Sequence, residues 1–313
     1  MYQLNMDQIR RVVHRGARAL YEYCRENGIH FLVVGSSGGL DSAATLGFMQ
    51  RACEMAKADD YILVSVGITM PINSKPDAER LGREAIERFA AIDMSNDLTG
   101  VFDYIDENKL VELAEKVLKI RTDAGLAPTK EQWAWDQLIA QGNIKARLRM
   151  MLGTYHIARL LGSGMVMSTD NLSEFWMAFW TLHGDVGDYG IIQQILKGLE
   201  LYDIARYLGV PQEIINARPD DGLAIAGGDE DQLGASYPVI DQILISLIQR
   251  GFDPDGAQTQ LDRLPTIPGF NQALVESLAR RTLNGSFKRQ GGGVVLTREF
   301  LGLPDIMDID LAA

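Results

Sequence analysis

The chain of 313 residues carries 46% hydrophobic and 23% charged residues, a balance typical of folded globular proteins and sufficient for one large domain. Its formal net charge of −12 argues against a nucleic-acid partner, which requires a basic surface. The first residues contain no apolar stretch of signal-peptide length, and no apolar run approaches about 18 residues, so the sequence predicts neither a secreted nor a membrane protein.

The two cysteines, Cys24 and Cys53, fall in predicted helices and show neither metal-ligand nor redox spacing. Buried, reduced thiols are therefore expected, and they favour a cytoplasmic location. The composition therefore predicts a globular cytoplasmic protein, and its function has to be predicted from local sequence motifs.

Strand-like apolar runs alternate with helix-like patterns through the first half of the chain. The first helix is predicted over residues 7–27, where apolar residues recur at helical spacing. The predicted strands cover residues 29–35, 61–68, 91–94 and 164–168. The helices predicted between them cover residues 42–57, 77–90, 104–121 and 143–161. This alternation predicts an α/β fold with a doubly wound, mostly parallel sheet flanked by helices, whose ligands lie at the carboxyl ends of the strands.

The second half of the chain is less sheet-like. Helices are predicted over residues 197–208, 239–249 and 271–281, whereas the glycine- and aspartate-rich residues 217–236 indicate a loop. No stretch is long enough to demand a linker between two domains. The sequence therefore predicts a single domain over residues 1–313, with a helical C-terminal part from about residue 239.

The sequence FLVVGSSGGLDS, residues 31–42, joins a strand-like run to a loop of small residues. Backbone N–H groups of such a loop, with the N-terminal end of the following helix, bind phosphate in α/β proteins, although a flexible turn is the alternative. The loop lacks the lysine of G-x-x-x-x-G-K-[ST] and the third glycine of G-x-G-x-x-G. The pattern S-x-G-G-x-D-S instead resembles the pyrophosphate-binding loop of the N-type ATP pyrophosphatases. The candidate ligand-binding residues are Gly35, Ser36, Ser37, Gly38, Gly39, Leu40, Asp41 and Ser42.

A second group of residues follows the predicted strand that ends at Ser168. Thr169 lies directly after this strand, and Glu174 lies at the start of the next predicted helix. Mg²⁺ prefers carboxylate and phosphate oxygens, so Asp41 and Glu174 form a candidate magnesium pair contributed by two strand ends. The alternative for Glu174 is a role in capping that helix.

Two other segments carry clustered charge. In GNIKARLRM, residues 142–150, Arg147 and Arg149 can bind a carboxylate or phosphate by paired hydrogen bonds, although a solvated basic helix face is the simpler interpretation. Taken alone, DEDQLGASY at residues 229–237 indicates an acidic surface loop.

Five motifs occur in a definite order along the chain. They are S-x-G-G-x-D-S at 36–42, G-N-x-K-A-R-x-R-M at 142–150, T-D-N-x-S-E at 169–174, G-D at 184–185 and D-E-x-x-L-G-x-x-Y at 229–237. Together they resemble the ammonia-dependent NAD synthetase family over most of residues 1–290. The resemblance implies a doubly wound parallel sheet, and a homodimer whose interface helps to build the dinucleotide site.

The resemblance also implies a two-step reaction. ATP adenylates the nicotinate carboxylate of deamido-NAD with release of pyrophosphate, and ammonia then displaces AMP to form NAD. Mg²⁺ on Asp41 and Glu174, together with the loop amides, would stabilise charge that develops on the departing pyrophosphate. Ammonia is the expected nitrogen source, because no glutaminase domain accompanies the motifs, and a separate glutamine-hydrolysing partner stays open.

Further site residues follow from the match to the family. The resemblance implies that Asp41 and Lys197 act in catalysis, and Asp185 is a candidate for binding ammonium and accepting its proton. The other implied contacts are ATP with Thr169 and Lys197, deamido-NAD with Arg147 and Asp188, and a closing C-terminal segment that carries Lys288.

The chain departs from the family pattern around the acceptor substrate. Leu182 replaces the usual lysine, residues 189–194 lack the usual proline, and residues 219–223 place an acid where a hydroxyl usually meets ATP. Residues 69–71 lack an arginine, and residues 104–140 have no clear counterpart. A related ligase that amidates another carboxylate, such as nicotinate mononucleotide, and a weakly catalytic nucleotide-binding protein are therefore the alternatives.

Overall fold

The apolar run Phe31–Gly35 forms the central strand of a parallel sheet. The computed structural model describes residues 2–184, 186–220, 227–289 and 294–311. Leu32 and Val34 pack on one side of the sheet and Val33 on the other, and all three are fully buried, as expected for a parallel sheet covered on both faces. The strands are, in chain order, β1 Phe31–Gly35, β2 Val64–Ile68, β3 Ile92–Asp93, β4 Gly164–Val166, β5 Tyr189–Gly190 and β6 Val294–Val295.

The strand order of the main sheet is β3-β2-β1-β4, and these pairings are parallel. Phe31 pairs with Val64 on one side and with Gly164 on the other. Beyond β4, an isolated parallel bridge joins Met167 to Tyr189, and β5 in turn pairs in parallel with β6. Parallel strands end at a common edge, so the loop after β1 and the residues after β4 lie at the same side of the molecule.

Helices connect the strands and cover both faces of the sheet. The α-helices are α1 Met6–Glu26, α2 Leu40–Ala58, α3 Pro76–Phe89, α4 Thr99–Ile105, α5 Val111–Asp123, α6 Lys130–Leu148, α7 Tyr155–Leu160, α8 Leu172–Met177, α9 Tyr202–Leu208, α10 Gln212–Asn216, α11 Asp229–Leu233, α12 Tyr237–Ile248, α13 Gln272–Asn284, α14 Ser286–Arg289 and α15 Arg298–Leu301. The π-helical turns are Asp106–Leu110, Arg149–Thr154 and Lys197–Leu201, and the 3₁₀ turns are Gln258–Arg263 and Ile306–Asp308.

Three clusters of buried apolar side chains hold these layers together. The largest joins one face of the sheet to α1, α2, α3 and α9, and the second joins the opposite face to α4, α6 and α7. The third packs α8 against α12 and α13. The predicted α/β fold with a parallel sheet and flanking helices is confirmed, and the single domain stays a prediction. Within the described ranges, no helix has both the length and the apolar character needed to cross a membrane.

One predicted boundary was wrong. The helix expected over residues 143–161 begins at Lys130, because Thr129 accepts the N–H of Gln132 and the Gln132 side chain accepts the N–H of Thr129 in return. Gly142, a weak helix former inside this helix, hides the continuity in the sequence. The C-terminal part is helical as predicted, and it also contributes strand β6 to the edge beyond β5.

Candidate active site

The loop between β1 and α2 is held in shape by its own serine side chains. Ser36 Oγ donates a hydrogen bond to the carbonyl oxygen of Gly82 in α3 at 2.9 Å. Ser42 Oγ donates to the carbonyl oxygen of Gly39 at 3.1 Å, and the N–H of Ser37 donates to Ser42 Oγ at 3.3 Å. The serines therefore fix the loop to itself and to the neighbouring helix.

Gly38 gives the loop its conformation. Its φ of +84° lies in the left-handed region that favours glycine, and a Cβ atom here would lie 2.2 Å from the carbonyl oxygen of Ala78. The N-cap residue of α2 is Gly39, which has no side chain that could occupy the first N–H groups of this 19-residue helix. Free backbone N–H groups at the positive end of a helix suit a phosphate group, which supports the role predicted from the sequence.

Asp41, Glu174 and Lys197 meet in one buried cluster. Lys197 Nζ lies 2.8 Å from Asp41 Oδ2 and 2.9 Å from Glu174 Oε1. The side chain of Lys197 is 4% exposed, and those of Asp41 and Glu174 are 16% and 12% exposed. The three residues come from the first turn of α2, from α8 and from the π-helical turn before α9. The fold therefore brings together three residues that the sequence analysis assigned to the site from separate motifs.

Asn171 orients two members of this cluster. Its Nδ2 donates to Asp41 Oδ1 at 2.7 Å, and its Oδ1 accepts the N–H of Glu174 at 3.0 Å, which caps α8. Because Asn171 is the cap, the side chain of Glu174 is not needed for that purpose and instead faces Lys197. This geometry argues against the capping alternative for Glu174.

Tyr237 and Asp229 also belong to the cluster, although sequence reasoning assigned neither a role. Tyr237 Oη lies 3.0 Å from Glu174 Oε1 and 3.2 Å from Asp229 Oδ2. Asp229 Oδ2 lies 3.8 Å from Lys197 Nζ, which in turn lies 4.2 Å from the centre of the Tyr237 ring, a cation–π contact. Both residues are buried, so the interpretation of residues 229–237 as an acidic surface loop was wrong. The available signal was the motif D-E-x-x-L-G-x-x-Y itself, which ends on Tyr237 at the start of an apolar helix.

The cluster sets three carboxylates against one ammonium group. Burial raises the pKa of Glu174 to about 8, and Asp41 and Asp229 add to the rise against the opposing effect of Lys197. Burial alone would lower the pKa of Lys197, but Asp41 and Glu174 outweigh burial and hold that pKa well above its ordinary value. Burial and the charge of Glu174 also raise the pKa of Tyr237, which therefore stays a neutral hydroxyl donor. The raised pKa of Glu174 indicates that one ammonium group does not fully stabilise the charged carboxylates, so a further cation would favour the ionised form of Glu174.

The residues present fit a magnesium ion. Across the described parts of the chain, no three His, Cys, Asp or Glu side chains form a ready-made metal site. Asp41 and Glu174 nevertheless lie side by side, since each places one carboxylate oxygen against Lys197 Nζ. Mg²⁺ commonly binds one or two carboxylates and completes its coordination with water and substrate phosphates, so this pair beside a phosphate-binding loop suits it.

Other predicted residues lie around the cluster rather than within it. Thr169 follows β4 at the same sheet edge and is partly exposed. Asp188 accepts hydrogen bonds from Tyr155 Oη at 2.8 Å and from the N–H of Val166 at 2.9 Å. Asp185 lies outside the described residues. The functional roles of Thr169, Asp185 and Asp188 stay predictions.

Arg147 and Lys288 lie on two further surfaces. Arg147 is exposed and donates from Nε to the carbonyl oxygen of Leu182 at 3.3 Å. It borders an open depression of about 610 Å³, whose other lining residues are Ile144, Leu148, Met150, Met151, Tyr155 and His183. Lys288 Nζ donates to the carbonyl oxygens of Ala178 at 3.0 Å and Trp180 at 2.6 Å, directly after α8. Their ligand contacts stay predictions.

The fold and the cluster define a phosphate-binding α/β protein with a carboxylate pair that suits magnesium. A sequence model of the family described as NAD synthase matches residues 12–291, and the chain belongs to this family. The resemblance carried by the five motifs is therefore confirmed.

Relatives with known names cover most of the chain. The NH(3)-dependent NAD(+) synthetase of Pyrococcus furiosus is 29% identical over 87% of this chain and 90% of its own. That of Methanocaldococcus jannaschii is 31% identical over 80% of this chain and 85% of its own. Among solved structures, NMN synthetase from Francisella tularensis aligns with a TM-score of 0.64 at 21% identity, covering 92% of this chain and 98% of that one. NH3-dependent NAD synthetase from Campylobacter jejuni aligns with a TM-score of 0.59 at 20% identity, covering 92% and 99%. These two structural matches show the shared fold.

Proposed function

We propose that the chain is an ATP-dependent amide-forming ligase that converts deamido-NAD and ammonia to NAD, with release of AMP and pyrophosphate. The observation that carries the proposal is the buried cluster in which Lys197 pairs with Asp41 and Glu174 beside the glycine–serine loop. Membership of the NAD synthase family and the names of the relatives support the same activity.

The first step makes the acceptor carboxylate reactive. A carboxylate is a poor electrophile until one of its oxygens becomes part of a good leaving group. The carboxylate oxygen attacks the α-phosphorus of ATP, the bond from this phosphorus to the α–β bridging oxygen breaks, and pyrophosphate leaves with the electron pair. The N–H groups of the first turn of α2, the positive end of this helix and the ammonium of Lys197 stabilise the negative charge on pyrophosphate.

The second step forms the amide. The nitrogen of ammonia attacks the carbonyl carbon of the adenylate, AMP leaves with the electrons of the C–O bond, and the nitrogen loses one proton. We assign to Asp185, which lies outside the described residues, the binding of ammonium and the acceptance of the proton whose loss converts ammonium to the attacking ammonia.

We assign magnesium to Asp41 and Glu174. The ion supplies charge neutralisation at the phosphates when it is bound with ATP. Asn171 holds Asp41 in orientation, and Tyr237 donates to Glu174, so both carboxylates are fixed by hydrogen bonds from neighbouring side chains.

The remaining contacts are assigned by position. Thr169 and Lys197 lie at the sheet edge that carries the loop and are proposed to contact ATP. Arg147 and Asp188 are proposed to contact deamido-NAD, because the depression beside Arg147 combines an apolar lining with a guanidinium group. Lys288 belongs to the segment that closes over the site.

A homodimer is proposed through the exposed face of α5 and α6. Every residue of α5 is at least partly exposed, which is unusual for a helix with so many apolar side chains. The apolar side chains that are 40% or more exposed on these two helices are Val111, Leu113, Val117, Ile120, Trp135 and Leu138. A second copy of the chain carries the same face, so a two-fold dimer buries both.

We place the reaction in the cytoplasm, where thiols stay reduced. Cys24 and Cys53 are both free thiols. Burial raises the pKa of Cys24 to about 12 and that of Cys53 to about 11, so neither forms the reactive thiolate readily.

Product analysis tests the proposed function. The purified chain is incubated with ATP, Mg²⁺, ammonium chloride and one acid at a time, namely deamido-NAD, nicotinate mononucleotide or nicotinate. We expect pyrophosphate, AMP and amide in equal amounts with deamido-NAD, and loss of pyrophosphate release in Lys197→Met. Lys57→Met, at an exposed lysine in the last turn of α2, is the matched control and retains activity. Turnover of nicotinate mononucleotide but not of deamido-NAD would establish the alternative acceptor. If none of the three acids leads to release of pyrophosphate, the ligase function is refuted.

A further inference from the structure

Lys197 reaches the cluster from a helical stretch whose first backbone N–H groups are held by side chains. The first N–H groups of a helix have no partner within the helix. Three consecutive N–H groups here donate to three buried side chains from three parts of the fold. The pairs are Leu196 N–H with Glu200 Oε2 at 2.9 Å, Lys197 N–H with Ser173 Oγ at 2.9 Å, and Gly198 N–H with Asp241 Oδ2 at 2.8 Å. The backbone of Lys197 is therefore fixed on both sides.

Glu200, which holds the first of these N–H groups, is itself held by Arg298. Arg298 Nη1 donates to Glu200 Oε2 at 2.9 Å, and Nη2 donates to Oε1 at 2.6 Å, which is the paired geometry characteristic of arginine and carboxylate. Tyr2 Oη adds a hydrogen bond to Glu200 Oε1 at 2.9 Å. Glu200 is fully buried and Arg298 is 8% exposed. Glu200 Oε2 thus accepts from both Arg298 and Leu196, and one carboxylate connects the guanidinium to the backbone next to Lys197.

Arg298 is in turn locked by the backbone around it. Its Nη1 donates to the carbonyl oxygen of Gln194 at 3.0 Å, and its Nε donates to that of Pro304 at 3.1 Å. The NAD synthase match covers residues 12–291, so Arg298 and Tyr2 both lie outside the part of the chain that defines the family.

We propose that Arg298 is a positioning residue for Lys197 and acts through Glu200. This inference rests on the proposed ligase function, in which Lys197 stabilises charge on the departing pyrophosphate. Without the guanidinium, the carboxylate of Glu200 is free to turn toward other partners and releases the N–H of Leu196. The turn that begins at Lys197 then shifts, and Lys197 Nζ moves relative to the phosphates. Displacement of a catalytic group by about 1 Å can lower a rate by up to about 100-fold.

Arg298→Lys tests the proposal, because lysine keeps the charge and loses the two parallel hydrogen bonds. We expect kcat for pyrophosphate release to fall at least about tenfold, with a smaller change in KM for ATP. Hydrogen exchange, measured without substrates, should be at least about tenfold faster in the peptide that contains the N–H groups of residues 196–198.

Arg80→Lys is the matched control. Arg80 is exposed, and its Nη1 and Nη2 donate in parallel to the two carboxylate oxygens of Glu213, which is the same paired geometry. It should leave kcat and the exchange of residues 196–198 at wild-type values.

The outcomes separate this proposal from the proposed function. An inactive wild-type chain refutes the function, whereas an active wild type with unchanged kcat and exchange in Arg298→Lys refutes the positioning role. Equal losses in Arg80→Lys also refute it, because they show that the effect is not specific to Arg298. If Arg298→Lys does not fold, Tyr2→Phe provides a second test of the role of Glu200. This variant loses the hydrogen bond from Tyr2 to Glu200, so hydrogen exchange at residues 196–198 should become faster. Unchanged exchange would overturn the proposal.

Discussion

The hydroxyl of Tyr237 lies 3.0 Å from Glu174 Oε1, although the two residues belong to different helices, α12 and α8. The same hydroxyl lies 3.2 Å from Asp229 Oδ2, and its ring covers Lys197 Nζ. A tyrosine hydroxyl has one proton to donate, so it links the two carboxylates without neutralising either. Tyr237 thus orients Glu174 and shields the ammonium of Lys197 from solvent.

Tyr237→Phe removes this hydroxyl and keeps the ring over Lys197. We expect kcat for pyrophosphate release to fall about tenfold or more, because a hydrogen bond to a charged group is worth roughly 1.5–3 kcal/mol. Steady-state kinetics with ATP and Mg²⁺ measure the effect. Tyr104→Phe, at a tyrosine that is 67% exposed, is the control. A Tyr237→Phe enzyme with wild-type kcat would show that the hydroxyl does not orient Glu174.

Gly38→Ala should disable the phosphate-binding loop. The alanine must adopt a φ near +84°, which costs about 1–2 kcal/mol, and its Cβ would clash with the carbonyl oxygen of Ala78. We expect the dissociation constant for ATP to rise at least about tenfold, measured by calorimetry. Gly100→Ala is the control, because Gly100 lies outside the loop, its φ is not positive and a Cβ atom there would meet no other atom within 4 Å. Equal losses in the two variants would contradict the special role of Gly38.

Asp241 should make stability depend on pH. Burial raises the pKa of this fully buried carboxyl from an ordinary value of 3.8 to about 7. The folded state then keeps a proton that the unfolded chain releases, so the stabilisation is complete below about pH 4 and is lost as the pH rises to 7.

Asp241→Asn does not titrate and provides the reference for this effect. Between pH 4 and 7, the free energy of unfolding of the wild type should fall relative to this variant, by up to about 1.4 kcal/mol per pH unit. Urea denaturation across this range checks the slope. Parallel pH profiles would mean that Asp241 keeps an ordinary pKa in the folded protein.

Lys197→Met leaves three buried carboxylates without their ammonium partner. We expect the free energy of unfolding to fall by about 3–5 kcal/mol, as for other broken buried ion pairs. Magnesium chloride should then raise the melting temperature of this variant more than that of the wild type, because a cation replaces the ammonium between Asp41 and Glu174. Sodium chloride at equal ionic strength is the control. Identical shifts in both proteins would contradict the replacement of the ammonium group by magnesium at this pair.

Val117→Glu combined with Ile120→Glu should convert the proposed dimer to monomers. Both side chains lie on α5 and are 46% and 65% exposed, and burying four carboxylates in a two-fold interface is unfavourable. Light scattering coupled to gel filtration measures the mass. Ile62→Glu, at an isoleucine that is 69% exposed but lies before β2, should remain a dimer. A monomeric wild type would refute the dimer.

The sequence predicts those parts of the site that are formed by residues adjacent in the chain. The strand, the small residues and the helix that form the loop follow one another directly, and Glu174 stands where a strand end meets a helix start. Asp229 and Tyr237 were not assigned, because their partner Lys197 lies in a distant part of the chain. An acidic stretch has the same composition whether it faces solvent or a buried ammonium group, so composition alone does not distinguish the two. The start of α6 at Lys130 was predicted wrongly for the opposite reason. Gly142, a weak helix former, lies directly before the predicted start at residue 143, whereas the cap at Thr129 lies 13 residues earlier in the sequence.

The hydrogen bonds of Glu200 also have a consequence for the order of folding. They join Glu200 to Arg298 across 98 positions of sequence and to Tyr2 across 198. Contacts between residues so far apart close large loops and form late. A nascent chain that has emerged only as far as α13 contains the loop, β1 to β5 and Lys197, but lacks the arginine that holds the catalytic turn. If Arg298 positions Lys197 as proposed, a chain that ends before residue 298 lacks this support, and we expect it to release pyrophosphate more slowly.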